Sequence, residues 1–264
     1  MAKGKNRQQI IGMQGGILSD KYADWDFIYR TSTDRDVQYN VGDTVKLPDK
    51  REFTYAKSAA ACISGQGCEF TYTGYVAITA FTTAFAAGVK KITVPAATHA
   101  ALTVDELRNG YVVIYDGTTN NVQFRGIVGN DASILNVAFD IYLDGSLTAA
   151  ITTSSKIEVF QNPYMALQTG TSTTLAKAGV PAVAVSAASM YFWVQTNGFT
   201  WVAPATSVVG ENGGIGCFWR HSGTLESADT ALAVTTAAND TSQYAGFVVS
   251  GSYSGNGPLF MLQG

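Results

Sequence analysis

The sequence predicts a mainly β protein, built from antiparallel β-barrel or sandwich units that follow an extended N-terminal arm. Short runs of aromatic and β-branched residues recur along the chain, separated by Gly, Asn, Asp and Pro, as in strands joined by turns. The chain has 264 residues, enough for one large domain or two modest ones. The first 46 residues differ, because Gly, Asp, Arg, Asn and Gln interrupt every apolar run there.

Residues 1–46 are therefore predicted to form the arm. Within them, "DWDFIYR" alternates aromatic side chains with polar neighbours, as in a short strand or a segment that docks in an extended conformation. An arm of this kind gains order against a partner. Its candidate partner-binding residues are Trp25, Phe27, Tyr29, Arg30 and Arg35.

A first β-domain is predicted over residues 47–166. "EFTYTGYVAITAF" mixes aromatic and β-branched residues, and "YVVIYDGTTNNVQFRGIV" contains two strand-like runs joined by a turn at residues 116–121. "VAFDIYLDGSLTAAIT" repeats this scheme, and "KIEVF" adds a strand that Asn162 and Pro163 end. One short helix is predicted in "THAALTVDELRNG", because Thr103 and Glu106 fit a capping box and Gly110 fits a helix stop.

A second β-rich domain is predicted over residues 167–264. It begins with Leu167–Ser189, which is poor in large side chains and is expected to be a connection or a strand at the surface. Asn197 and Gly198 then predict a two-residue hairpin turn in "MYFWVQTNGFTWVAP". Later runs continue the β pattern to the end of the chain.

Aromatic residues are dense in this second domain. Most are expected in the core, but such density also fits an interface or a surface on which carbohydrate stacks. The candidate surface-interaction residues are Trp193, Phe199, Trp201 and Trp219.

The three cysteines do not predict a metal site. Cys62 and Cys68 are separated by five residues instead of the usual two to four, and the sequence offers no nearby His or Cys to complete a ligand set. Reduced structural thiols are the main interpretation of Cys62, Cys68 and Cys217. A disulfide between Cys62 and Cys68 stays open for a protein released into an oxidising medium.

No catalytic signature emerges either, so we predict a protein that is not an enzyme and has no cofactor. Cys217 and His221 lie four residues apart, which on a strand separates them by about 13 Å, too far for a thiol–imidazole pair. Carboxylates such as Asp140, Asp144 and Glu158 occupy strand or turn positions where acidic residues are common.

The charge distribution limits the classes of partner that the protein is expected to bind. The net charge is −3, with 17 basic and 20 acidic residues, so no broad basic field exists to bind nucleic acid. The first 57 residues hold 10 of the basic and 8 of the acidic residues, so the remaining 207 carry only 19 charges. A surface with few charges costs little to desolvate against a partner. No signal peptide and no membrane segment are predicted, which indicates synthesis in the cytoplasm of the producing cell.

One stretch resembles a segment of the structural proteins of tailed bacteriophages. In those proteins a strand leads into an Asp-Gly-Arg-x-Phe-x-Tyr-Ala run, followed by an Ala-rich stretch bounded by Gly, and "GDTVKLPDKREFTYAKSAAACISGQG" is similar to this pattern. The positions that match are Asp49, Arg51, Phe53, Tyr55 and Ala56, whereas Lys50 stands where glycine is usual. "YVVIYDGTTNNVQFRGIVGND", "YFWVQTNGFTWVAP" and "GCFWRHSGTL" also look like later strands of these proteins.

The resemblance is to capsid decoration, or cement, proteins of tailed phages. It implies a virion protein on the outer capsid surface, made in the host cytoplasm, that bridges neighbouring subunits of the major capsid protein and stabilises the head. It also implies self-association, with a homotrimer around a local three-fold axis.

Three other functions remain open. A head-fibre or tail-associated protein would bind host surface glycans through the aromatic C-terminal hairpin. A β-rich glycan hydrolase would use a pair of carboxylates. A filament-forming surface protein of a cell is disfavoured by the missing export signal.

Overall fold

The computed structural model describes residues 25–71, 74–115, 122–204, 215–227, 240–250 and 259–263. It confirms a mainly β protein, with antiparallel pairing between its strands and two curled sheets. Strands in the described residues are β1 (Thr44–Lys46), β2 (Glu52–Lys57), β3 (Cys68–Phe70), β4 (Val76–Ala80), β5 (Lys91–Val94), β6 (Tyr111–Tyr115), β7 (Val122–Asn130), β8 (Phe139–Leu143), β9 (Lys156–Phe160), β10 (Leu167–Thr169), β11 (Lys177–Pro181), β12 (Tyr191–Trp201), β13 (Gly216–Arg220), β14 (Leu225–Ser227), β15 (Asp240–Ser250) and β16 (Leu259–Leu262). Two 3₁₀ helices, Asp26–Tyr29 and Pro163–Met165, complete the described elements.

The chain divides into two compact units. Unit 1 combines Met1–Thr71 with Tyr164–Gly264, and unit 2 is the intervening stretch Tyr72–Pro163. The second boundary lies close to the predicted division after residue 166. The first lies after Thr71 instead of after residue 46, because β2 and β3 pair with strands from the second half of the chain and β1 pairs with β2.

Unit 2 is a six-stranded antiparallel sheet in the order β4-β9-β6-β7-β8-β5. Its strands alternate buried and exposed side chains, as expected for a sheet with one face on the core. The predicted pairing of the two runs in "YVVIYDGTTNNVQFRGIV" is confirmed by β6 and β7, where Tyr115 lies opposite Val122. The turn predicted at residues 116–121 lies outside the described residues.

The predicted helix in unit 2 is wrong, although its capping contact exists. The Glu106 carboxylate accepts hydrogen bonds from the Thr103 N–H and hydroxyl at 2.9 and 3.0 Å. The backbone then forms turns, with Asp105 and Asn109 in the left-handed region at φ 60° and 64°. Two left-handed residues within one short segment cannot belong to a right-handed helix.

Unit 1 contains ten strands, with a central path β10-β3-β11-β12-β16-β15-β13-β14 and with β2 and β1 branching from β12. The stretch Leu167–Ser189 includes β11, whose five residues are all buried, so it is not a strand at the surface. Small residues in this stretch allow close packing between neighbouring strands. A Cβ atom at Gly179 would collide with the carbonyl oxygen of Gln195 on the neighbouring strand.

The predicted hairpin at Asn197 and Gly198 is also wrong. Both residues lie inside β12, which runs unbroken for 11 residues. Asn197 pairs with Glu52 of β2 across a one-residue register shift, and Gly198 pairs with Leu262 of β16. The pair that favours positive φ forms a β-bulge where β12 changes partner, with Gly198 at φ 93°.

Part of the predicted arm packs on unit 1. Phe27, Ile28, Tyr39 and Val41 are buried in one cluster around Trp193. Apolar side chains from residues 25–46 therefore belong to the core of this unit, because they have tertiary partners that local sequence cannot reveal. Residues 1–24 lie outside the described residues, and the arm stays a prediction there.

Lys50 occupies the position at which the phage segment has glycine. In the loop between β1 and β2, its N–H donates to the Leu47 carbonyl at 2.9 Å and the Leu47 N–H donates to Arg51 at 2.8 Å. Lys50 itself has φ 70°, a left-handed conformation that a β-carbon disfavours. The loop thus keeps the left-handed turn that usually requires glycine, with a lysine at that position.

Lys50→Gly is expected to raise the free energy of unfolding by about 0.5–1 kcal/mol, because it removes the left-handed strain at this position. Urea unfolding at pH 7 measures the change. Lys50→Ala is the matched control, since it removes the same charged side chain but keeps the β-carbon. Equal stability of the glycine and alanine variants would contradict the prediction.

Candidate functional site

An exposed apolar surface in the described part of unit 1 lies on strands β12, β16 and β15. We define the apolar face as Phe199, Trp201, Phe247, Leu259 and Met261. Phe199 lies opposite Met261, Trp201 opposite Leu259, and Phe247 opposite Met261, so the five side chains are cross-strand neighbours. Their sequence neighbours Val248, Phe260 and Leu262 point the other way and are buried. Phe199, Trp201 and Leu259 are 42%, 51% and 46% exposed, an unusual density of large apolar side chains at a surface.

Trp201 is held in place by the loop that follows the first cysteine. Its indole lies against Gly65, where a β-carbon would collide with the ring, and the Ala203 N–H donates to the Gly65 carbonyl at 2.7 Å. Gly65 also has φ 77°, which favours glycine. One side of the ring is thus packed against the protein while half of the side chain stays exposed.

A cavity of 330 Å³ adjoins the apolar face at Phe199 and Met261. Its other walls combine the charged or polar residues Lys46, Asp49, Lys50, Glu52 and Asn197 with Leu47 and Gly198. Ion pairs hold part of this rim, with Lys46 to Glu52 at 2.6 Å and Arg51 to Asp49 at 2.6 Å. The site is therefore an apolar surface with a polar border, the usual anatomy of a protein interface.

Arg51 connects this border to the segment predicted to bind a partner. Its guanidinium donates to the Tyr29 hydroxyl at 3.0 Å as well as to Asp49. Partial burial by itself would lower the pKa of Arg51, but the hydrogen bonds to Asp49 and Tyr29 outweigh it and raise that pKa. Arg51 is thus a fixed positive charge at the edge of the site.

The predicted site residues separate into core and surface. Trp193 and Trp219 are each 2% exposed and belong to the core, whereas Phe199 and Trp201 lie on the apolar face. Among the predicted partner-binding residues, Phe27 is buried and Trp25 packs partly against the same cluster. Tyr29, Arg30 and Arg35 are exposed.

Sequence reasoning missed a buried ion pair in unit 1. The Lys177 ammonium and the Glu69 carboxylate are 2.6 Å apart, and both side chains are fully buried. The signal was present, since Glu69 lies between Cys68 and Phe70 in a strand-like run where a charge needs a partner. The surrounding hydrogen bonds indicate a structural role.

The cysteines are free and buried. A hydrogen bond with the Cys62 thiol and burial raise the pKa of Cys68 well above its usual value. Burial also raises the pKa of Cys217 to about 12. Burial thus favours the thiol form of Cys68 and Cys217, which does not suit a nucleophile.

The three carboxylates considered for glycan hydrolysis have different surroundings. Asp140 binds Lys91 at 2.7 Å and Thr93 at 2.6 Å, and these hydrogen bonds lower the pKa of Asp140. Glu158 accepts a hydrogen bond from the Tyr115 hydroxyl at 3.1 Å. Asp144 lies over Gly126. Asp140 is thus held as an ionised carboxylate and does not fit the general acid of a hydrolase.

Within the described ranges, no three His, Cys, Asp or Glu side chains come together in a way that would hold a metal ion. No helix in the described part of the chain is long and apolar enough to cross a membrane.

Comparisons with known proteins find no match: no family model fits the chain, and no curated protein and no solved structure matches it. The resemblance to phage decoration proteins therefore depends on the sequence segments alone.

Proposed function

We propose that this protein is a capsid decoration protein, a virion structural protein that binds the outer surface of the major capsid protein shell and stabilises the head. The observation that supports this proposal most is the apolar face, together with its polar border. When a partner covers large exposed apolar side chains, their removal from water lowers the free energy of the complex, and a surface with few charges adds little desolvation cost.

The mechanism is mass action. A protein that binds the assembled shell and not its dissociated subunits shifts the equilibrium towards the shell. Binding around a local three-fold axis would place three copies side by side, so the apolar face serves either contact with the shell or self-association into the proposed homotrimer. No enzymatic step and no cofactor enter this function.

Exposed residues of the N-terminal region supply a second contact in this proposal. Tyr29, Arg30 and Arg35 project from unit 1 and follow residues 1–24. Deleting residues 1–24 tests the arm, because a longer deletion through Val41 would also remove core side chains. Full occupancy of heads by the shortened protein would exclude a contact made by residues 1–24.

The double variant Phe199→Ser, Trp201→Ser is expected to bind undecorated heads at least about 30-fold more weakly, because aromatic anchors dominate interface energies. The heads come from a deletion mutant of the encoding phage. Sedimentation of mixtures followed by quantitative gels measures occupancy, and the heat resistance of the heads should fall in parallel.

Phe124→Ser is the matched control, since Phe124 is 57% exposed on unit 2 and does not belong to the apolar face. Circular dichroism checks that each variant is folded. Unchanged occupancy with the double variant would refute the role of the apolar face. Absence of binding by the wild-type protein would refute the decoration function itself.

A head-fibre or tail-associated protein that binds host surface glycans is the second candidate. It is favoured by the half-exposed Trp201 ring, because a fixed indole with one open side suits stacking of a sugar. Copy number separates the two. Decoration requires a number of copies that matches the capsid lattice, whereas a fibre requires far fewer, and quantitative gels of purified virions measure this ratio.

A further inference from the structure

The outer face of the unit 2 sheet carries a second aromatic cluster. Tyr111 of β6 lies between Phe160 of β9 and Gly126 of β7 in the cross-strand register. Phe124 lies diagonally opposite Tyr111, since its direct partner is Val113. The intervening side chains Val112 and Ile114 point inwards and are fully or almost fully buried. The aromatic side chains therefore share the face that points away from the core of this unit.

The two most exposed rings of this cluster are nearly parallel. The centroids of Tyr111 and Phe124 are 5.3 Å apart, and their planes differ by 16°. Phe124 is 57% exposed and Tyr111 is 38% exposed, although a Tyr–Phe pair of this size would usually be covered. The pair offers a fixed apolar surface with a defined orientation.

Two carboxylates flank these rings. Glu158 lies opposite Val113 on β9, so Glu158 and Phe124 are the two cross-strand neighbours of the same residue. Asp144 overlies Gly126, where its Oδ2 would be 2.7 Å from an added β-carbon, and Gly126 is the direct neighbour of Tyr111. Glycine at this position leaves the space that the carboxylate occupies.

Neither carboxylate is neutralised by an ion pair in the described residues. Glu158 accepts a hydrogen bond from Tyr115, which leaves further lone pairs available. Asp144 is exposed, and its carboxylate forms no hydrogen bond or ion pair within the described ranges. A purely apolar partner would have to desolvate both charges without compensation.

We infer that this face of unit 2 is a binding site for neutral saccharides. The apolar C–H face of a pyranose can stack on the electron-rich face of Phe124 or Tyr111. Its hydroxyl groups can donate hydrogen bonds to Glu158 and Asp144, which act only as acceptors when ionised. The occupant needs an apolar face and hydroxyl donors on its rim, which sugars combine in one ring.

This inference does not depend on the decoration function. It concerns residues of unit 2, whereas the proposed contact with the shell uses the apolar face of unit 1. A decoration protein with such a site would display a saccharide-binding surface on the particle, and the site would also suit a fibre.

The test is a titration of the full chain with maltohexaose, cellohexaose and chitohexaose, followed by isothermal calorimetry and by heteronuclear NMR. We expect at least one of these neutral oligosaccharides to bind and to shift resonances of residues near Tyr111 and Phe124. Phe124→Ala should weaken that binding by at least about tenfold, and Asp144→Asn should weaken it measurably. Tyr244→Ala, which changes an exposed aromatic residue of unit 1 outside the apolar face, should leave the affinity unchanged.

Three outcomes would overturn the inference. The first is that none of the three oligosaccharides binds, and the second is that binding survives Phe124→Ala in a protein with an unchanged thermal unfolding curve. The third concerns a second copy of this chain as the occupant. If sedimentation shows self-association that Phe124→Ala abolishes, the face is a protein interface instead of a saccharide site.

Discussion

Replacing Glu69 with glutamine, or Lys177 with methionine, is expected to lower the free energy of unfolding by about 3–5 kcal/mol. Either change leaves one charge buried without its partner. The two side chains are fully buried and 2.6 Å apart, so no solvent is present to compensate the remaining charge. Urea unfolding of each single variant measures the effect.

The cost is large because the pair is also the centre of a hydrogen-bond network. Besides Lys177, the Glu69 carboxylate accepts hydrogen bonds from Gln168 at 3.0 Å, Thr171 at 3.1 Å and the Ser172 N–H at 3.1 Å. The Lys177 ammonium also donates to the carbonyl oxygen of His221 at 3.0 Å. The network therefore ties β3 and β11 to two loops of unit 1.

The surface pair of Lys46 and Glu52 is the matched control. Its N–O distance is also 2.6 Å, but its side chains are 40% and 24% exposed. Glu52→Gln should therefore cost less than about 1 kcal/mol. The double variant Glu69→Gln, Lys177→Met should cost less than the sum of its single changes, because no unpaired charge remains. Single variants as stable as Glu52→Gln would contradict the prediction.

The stability that the Glu69–Lys177 pair contributes should depend on pH. Burial by itself would raise the pKa of Glu69, but hydrogen bonds from Lys177, Gln168 and two backbone N–H groups outweigh it, and that pKa lies below its ordinary value. The stability contributed by ionised Glu69 is therefore complete above the unfolded pKa of about 4.3 and is lost as the pH falls through the lower folded pKa. The stability difference between wild type and Glu69→Gln should be constant near neutral pH and shrink below about pH 4. A difference that stays constant into that acidic range would show that Glu69 does not titrate as described.

Trp193→Ala is expected to destabilise the protein by about 3–5 kcal/mol, the usual cost of deleting a buried aromatic side chain. Trp193 is the centre of an aromatic cluster in unit 1. Its ring contacts Phe27, Tyr39 and Tyr55 with centroid distances of 5.6, 4.9 and 5.1 Å. Since the cluster joins residues 25–46 to β2 and β12, the variant should also expose the segment around Phe27 to proteolysis.

Trp201→Ala provides the comparison, because it removes the same side chain from the same strand. Trp201 is 51% exposed, so its removal should cost about 1 kcal/mol. Chemical denaturation at equal protein concentration, with limited proteolysis and mass spectrometry, tests both predictions. Equal destabilisation by the two variants would mean that Trp193 does not anchor the core.

The sequence predicted the strands of unit 2 well and the strands around β12 poorly. "KIEVF" corresponds to β9 and the pair β6 and β7 was expected, because alternating patterns and turn residues lie within a few positions of each other. For Asn197–Gly198, the sequence correctly indicated a preference for positive φ, but it was wrong to place the pair in a hairpin turn. Positive φ suits a hairpin turn and a bulge equally, and only the partners β2 and β16 decide between them.

Which aromatic residues form the candidate site also depended on whether this segment forms a turn or a bulge. Trp193 and Trp201 are separated by eight residues, so an uninterrupted strand would place both on one face of the sheet. The bulge between Gln195 and Asn197 adds one residue and reverses the faces. Before it, β12 is covered on both sides, and after it, Phe199 and Trp201 are exposed.

By itself, the sequence determined the β class, the shortage of charges beyond residue 57 and the lack of a recognisable catalytic motif, because these follow from composition and local periodicity. The tertiary structure alone decided that Phe27 and Trp193 are core, that Trp201 and Phe124 are exposed, and that Glu69 meets Lys177 across 108 positions of chain. The physical reason is that burial depends on which distant strands pair, and pairing is set by contacts between segments far apart in sequence.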